Sequence, residues 1–130
     1  MLNYAKHFID NKDIEQVVKV LRYNNITQGK EVIKFEKLLS KFFGARDCAV
    51  VSNGTAALHL SGIALGWKKG DVVLTTPITF ASTANSILYS GATVDFVDIN
   101  NSTYNIDVNL LEEKIKKYKK KKINFYWQKN

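Results

Sequence analysis

The chain has 130 residues, 45% of them hydrophobic and 24% charged, the composition of a globular protein with its own core. Its net charge of +7 is a property of the tail: residues 1–111 carry 11 basic against 10 acidic side chains, residues 112–130 carry 8 lysines against 2 glutamates. That distribution lacks the basic surface patch of a nucleic-acid binder, and no apolar run approaches the ~18 residues of a membrane span.

The first ten residues have neither the basic start nor the apolar centre of a signal peptide. A single cysteine, Cys48, precludes an internal disulfide and fits a reducing compartment. The expected location is therefore cytoplasmic. Met1 to Asp10 reads as an extended arm, with Tyr4 and Phe8 as candidate anchors. Ile14, Val17, Val18 and Leu21 then recur at the spacing of one helical face. Asn11 or Asp13 is the expected cap of that helix, and Asn24-Asn25 its end. Ile26-Thr27-Gln28-Gly29 is a short polar turn. A second amphipathic helix carries Val32, Phe35, Leu38, Leu39, Phe42 and Phe43, and Gly44 is its stop.

Cys48 to Ser52 is an apolar run of the kind buried on both faces of a sheet, which makes Cys48 a core thiol. The chain breaks at Asn53-Gly54 and restarts as a helix over Thr55–Leu65. After the turn Gly66–Asp71, Val72–Thr75 is a second strand, stopped by Thr76-Pro77 because a residue before proline is held out of the helical region. A helix is expected over Phe80–Tyr89, closed by Ser90-Gly91. Thr93–Ile99 is a third strand, alternating Val94, Phe96 and Ile99 with Thr93, Asp95 and Asp98. Asn105-Ile106-Asp107 opens a last helix with Leu110, Leu111 and Ile115 on its core face. Strands alternating with helices define an α/β chain with a mostly parallel sheet and flanking helices.

Seven of the nine residues from Lys114 to Lys122 are lysine, after which Ile123, Phe125 and Trp127 alternate with polar residues. The run reads either as an arm for nucleic acid or membrane, or as a solvated helix end that complements the helix dipole and enters another strand. The division expected is residues 1–116 as an incomplete α/β domain and 117–130 as a lysine-rich tail, produced by truncation or a reading-frame slip.

The common nucleotide, redox and zinc signatures are missing: there is no GxGxxG, GxxxxGK[ST], CxxC or HExxH. With only His7 and His59, a histidine-based metal site is not expected. What remains lies after the strands, where ligands bind in open α/β sheets. Gly54 and Thr55 follow the first strand and start a helix, placing unpaired N–H groups and the positive end of a dipole where a phosphate could sit. Thr55 could equally be a simple helix cap. Phe80 follows the second strand and could present its ring to a flat heterocycle beside that phosphate, or belong to the core.

Five segments in order resemble the N-terminal part of the DegT/StrS family of sugar aminotransferases. They are Ile26-Thr27-Gln28-Gly29 with Phe35-Glu36, Ser52 to Leu58, Thr76 to Asn85, Gly91 to Ile99, and Asn105-Ile106-Asp107, within residues 4–116. The resemblance implies the large domain of a fold-type I enzyme that uses pyridoxal 5′-phosphate (PLP). Such an enzyme moves an amino group, usually from glutamate, to the C4 ketone of a nucleotide-linked deoxysugar for cell-surface glycans. It implies that Gly54 and Thr55 bind the cofactor phosphate, that Phe80 stacks on the pyridine ring, and that Thr27, Gln28 and Gly29 lie near the sugar-nucleotide pocket. Thr76-Pro77-Ile78-Thr79-Phe80 looks closest to the subgroup acting on UDP-4-keto-6-deoxy-N-acetylhexosamines, on the route to pseudaminic acid.

Family members are homodimers, with neither nucleic acid nor membrane as partner. The family's Schiff-base lysine and the aspartate that holds the pyridine nitrogen protonated belong to later motifs absent here. Lys30, Lys68 and Lys69 match no such context. The chain alone is thus expected to be inactive. A sugar dehydratase of the same fold and an inactive remnant that only binds are the alternatives.

Overall fold

Residues 6–120 are described in the computed structural model, and within them all five expected helices form. Two units separate, Met1–Val50 and Val51–Asn130. Tyr4 and the alternation at Ile123, Phe125 and Trp127 lie outside the described residues.

The first unit contains α1 (Asn11–Tyr23) and α2 (Lys30–Phe43). The cap of α1 is Asp10, one residue ahead of the expected Asn11. Its Oδ1 accepts the N–H groups of Lys12 at 2.8 Å and Asp13 at 3.0 Å, and Asp13 Oδ2 accepts the Asp10 N–H at 3.0 Å. Asp13 therefore serves as the returning arm of a reciprocal capping box. Gly44 ends α2 in the left-handed region, at φ 64°, where a residue with a Cβ would be strained. Neither helix has a buried residue. Phe8, expected as an anchor, is 89% exposed.

Residues 48–52 do not form the expected strand. They pair with no other strand among the described residues, Cys48 is only half-buried, and Val50 is exposed. An apolar run has the propensity for a strand, but a strand exists only when neighbouring backbone takes its hydrogen bonds.

The second unit is organised by two parallel strands, β1 (Val72–Thr75) and β2 (Thr93–Phe96), in register from Val72 opposite Thr93 to Thr75 opposite Phe96. Helix α4 (Ala81–Tyr89) makes the crossover and packs on both strands, and α3 (Gly54–Ala64) packs on α4. The core is Ile87 of α4 with Ala92 and Val97. Fully burying an Ile87-sized side chain contributes about 1.5–3 kcal/mol. Strand β2 stops at Phe96, short of the expected Ile99, although Val97 N–H still reaches Thr75 O at 2.8 Å. Ile99 instead bridges Ile106 in antiparallel sense. Phe96, the last residue of β2, is 40% exposed, while Val97 just after it is buried.

Two contacts show how α3 meets the C-terminal end of α4. His59 meets Tyr89 edge-on with centroids 5.6 Å apart, and Gly62 lies beside Ser90, the cap of α4, and Trp67. A Cβ on Gly62 would stand 2.4 Å from Trp67 Cε3 and 2.8 Å from Ser90 Oγ. Gly62→Ala is therefore expected to lower stability by about 1–3 kcal/mol, read as a shift in the urea midpoint.

Helix α5 (Val108–Lys120) is capped by Asp107, whose Oδ1 accepts the N–H groups of Asn109 and Leu110 at 2.9 and 3.1 Å. It is tied to β2 through Asp95. Lys114 Nζ lies 2.7 Å from Asp95 Oδ1 and also donates to Phe96 O, while Tyr118 OH donates to Asp95 Oδ2. Burial alone would raise the Asp95 pKa. The hydrogen bonds from Lys114, Tyr118 and the Phe96 N–H, with the Lys114 charge, outweigh it and hold the carboxyl below its ordinary value. The hydrogen bond to Asp95, with burial, pushes the Tyr118 hydroxyl up to about 12.

A lowered carboxylate pKa stabilises the fold above its ordinary value, and that contribution disappears as pH falls through the folded value. A raised phenol contributes below about pH 10 and is lost as pH rises through about 12. Tyr118→Phe is expected to flatten both limbs of a stability-against-pH curve measured by urea unfolding, relative to the parent chain.

Candidate functional site

Helix α3 begins at Gly54, one residue before the expected Thr55. Its cap is Asn53, in extended backbone at φ −165°, whose Oδ1 accepts the Ala56 N–H at 2.9 Å. Ala57 N–H reaches Asn53 O at 3.2 Å. The capping role that could have explained Thr55 is thus filled by its neighbour. The N–H groups of Gly54 and Thr55, and the half-buried Thr55 hydroxyl, have no acceptor among the described residues. Three donors thus belong to the first turn of a helix whose dipole is positive there.

Gly54 has no structural reason to be glycine. It is helical, its φ is not positive, and a Cβ there would meet nothing within 4 Å. Glycine within a helix costs roughly 0.5–1 kcal/mol against alanine. Open space beside two free N–H groups is what close approach of a ligand requires.

Phe80 is the residue preceding α4, with extended backbone at φ −67° and ψ 142° and no side-chain cap. It is 78% exposed, so it is not the core residue that its composition allowed. The loop holding it follows β1, bent by Pro77 and pinned by Thr79 Oγ1 to Thr83 Oγ1 at 2.9 Å. Phe80 stands before α4 and the donors of Gly54 and Thr55 open α3, and these two helices pack on one another. The donor set and exposed ring fit a phosphorylated flat heterocycle, the anion on the helix start and the ring on Phe80.

Thr27, Gln28 and Gly29 belong to the other unit and are described within it. Gln28 is in the left-handed region at φ 51°, an uncommon conformation for a side-chain-bearing residue. Gly29 is buried and caps α2; a Cβ there would lie 2.3 Å from Asn25 O. Gln28 and Gly29, but not Thr27, line a cavity of about 300 Å³ together with Tyr23, Asn24, Asn25 and Lys30. Asn24 and Asn25 at this cavity were read from the sequence only as a helix end.

Residues 7–124 match the DegT/DnrJ/EryC1/StrS aminotransferase family. The chain belongs to that family. It is 44% identical over 117 residues to a UDP-4-amino-4,6-dideoxy-N-acetyl-beta-L-altrosamine transaminase of Campylobacter jejuni, covering 90% of this chain and 31% of that relative. Among solved structures it resembles a DegT/DnrJ/EryC1/StrS aminotransferase from Brucella abortus, with TM-score 0.71 and 34% identity over 87% of this chain and 30% of that one. It also resembles GDP-4-keto-6-deoxy-D-mannose-3-dehydratase of E. coli with bound hydrated PLP, with TM-score 0.75, 31% identity, and coverage of 87% and 31%. The chain thus spans about three tenths of the length of these relatives. The family's cofactor is PLP.

Asn53→Ala is expected to cost about 1 kcal/mol of stability, the usual loss for an N-cap. Thr55→Val should leave stability within about 0.5 kcal/mol. Urea titrations of the two variants check the division of labour.

Proposed function

We propose that this chain supplies the phosphate-and-ring half of a PLP site in an enzyme that carries an amino group from glutamate to the C4 ketone of a nucleotide-linked 4-keto-6-deoxysugar. The observation that supports this best is the pair of unclaimed N–H groups at Gly54 and Thr55 beside an open glycine position. PLP supplies the electron sink on which amino transfer depends. In this reading the Gly54 and Thr55 N–H groups and the Thr55 hydroxyl hold the phosphate by charge-assisted hydrogen bonds. Phe80 covers one face of the heterocycle and keeps water from it. Thr27, Gln28 and Gly29 border the pocket for the sugar nucleotide, where the Asn24 and Asn25 amides can orient hydroxyls. The substrate assignment is supported by the Campylobacter relative, whose name specifies a UDP-linked 4-amino sugar; the intact enzyme is read as a homodimer on a pseudaminic-acid-type route to surface glycans.

No lysine of this sequence stands in the context of the family's Schiff-base residue. The 130-residue chain by itself is therefore read as binding PLP without catalysing transfer. A dehydratase reading is favoured by one observation, the similarity to the E. coli 3-dehydratase. Formation of a 4-amino sugar, as opposed to loss of a hydroxyl, by the chain together with the lysine-bearing remainder of a relative would decide between them.

Equilibrium dialysis tests the cofactor assignment directly. Thr55→Val removes one hydrogen bond to a charged group, about 1.5–3 kcal/mol, and should weaken PLP binding about 10- to 150-fold while leaving binding of pyridoxal, which lacks the phosphate, unchanged. Gly54→Ala should raise stability by about 0.5–1 kcal/mol and still weaken PLP. Equal losses for PLP and pyridoxal would refute the phosphate assignment.

A further inference from the structure

Phe35-Glu36 is part of the family-like pattern, yet neither residue enters the site described above. Glu36 lies on α2, half-buried, and its Oε1 accepts the N–H of Val50 at 3.0 Å across 14 residues of chain. Val50 belongs to the run 48–52, which has no strand ladder among the described residues to take its backbone groups. A carboxylate is a strong acceptor for a backbone N–H, roughly twice as effective as a neutral one. This bond therefore does for Val50 what a neighbouring strand would otherwise do. Only Val51 and Ser52 separate Val50 from Asn53, the cap that takes the Ala56 N–H and leaves those of Gly54 and Thr55 free.

We propose that Glu36 is a positioning residue for the cofactor turn. By holding Val50 N–H it restricts the backbone entering Asn53, and so favours the extended conformation at Asn53 in which its Oδ1 caps α3. Without that restraint, Val50 to Ser52 sample more conformations, and the cap forms for a smaller fraction of the time. The Glu36 side chain has the reach and an acceptor oxygen, and glutamine keeps both, so the role needs the acceptor more than the charge. This proposal rests on reading Gly54 and Thr55 as the phosphate site, and its test separates the two.

Amide hydrogen exchange of the full 130-residue chain, followed residue by residue by NMR, is the primary measurement, with PLP and pyridoxal dialysis alongside. Glu36→Ala should speed exchange at Val50 and at Ala56 by about tenfold with helical content unchanged. It should also weaken PLP binding severalfold without affecting pyridoxal, and Glu36→Gln should restore both. Unchanged exchange at Ala56 in Glu36→Ala, or a Glu36→Gln variant that behaves like the alanine one, overturns the proposal. If Glu36→Ala speeds exchange at Ala56 but Thr55→Val does not weaken PLP, Glu36 orders the turn as stated and it is the phosphate reading that fails. Should Glu36→Ala not fold, the parent chain decides. A protected Val50 N–H whose chemical shift titrates with a carboxylate supports the bond; an unprotected one overturns it.

Discussion

Two parallel strands cannot be joined by a tight turn; the chain must leave the end of one and travel back to the start of the other. In the second unit that single constraint accounts for most of what is seen. The return path is α4, which buries Ile87 against the strands. The loop that leaves β1 has to emerge at the strand's C-terminal end, and Pro77 and Phe80 stand there. Open α/β sheets bind ligands at that end, because loops there are free of the ladder and helix starts point their N–H groups toward it. In the same unit α3 packs on α4, with the turn at Asn53 to Thr55 opening one helix and Phe80 preceding the other.

The start of α3 shows how a cap can be arranged to leave donors available. A helix begins with four N–H groups that lack partners within it. Asn53 satisfies Ala56 through its side chain and Ala57 through its backbone, which secures the helix while the two foremost donors remain open. Gly54 then gives up helix propensity for space. A residue that costs stability and solves no backbone problem is best explained by what approaches it. That is the physical content behind assigning a phosphate to this turn in a PLP-dependent family.

The first unit is held by different means. Helices of 13 and 14 residues are close to the length at which an isolated helix is marginal in water, and these bury no side chain among the described residues. Local devices carry much of the weight: the Asp10–Asp13 box at one end of α1, the left-handed Gly44 after α2, and the Glu31–Lys34 ion pair at 2.6 Å on the α2 surface. The last is exposed and worth little by itself. Ile14, Val17 and Leu21 form an apolar stripe that remains open.

Helix periodicity, the breakers Gly44 and Pro77, the parallel βαβ order and the family pattern were all legible in the residues, because each follows from local spacing or from backbone limits that act within a few residues. So was the placement of Phe80 after a strand, and the start of a helix at Gly54 and Thr55, although the strand expected before them did not form. Which residue caps a helix was less legible: Asp10 and Asn53 displaced Asn11 and Thr55, since capping depends on a backbone torsion as well as on a suitable side chain. Cys48 to Ser52 had the composition of a buried strand and became an unpaired run held by Glu36, because a strand is a relation between segments. Phe80, which the sequence left open between core and crevice, proved to be outside the core, for the same kind of reason. By itself the sequence determined what each segment could become and which chemistry it could carry. Only the tertiary structure decided which faces were covered and which N–H groups stayed free, since burial and hydrogen-bond partners are settled by neighbours distant in the chain.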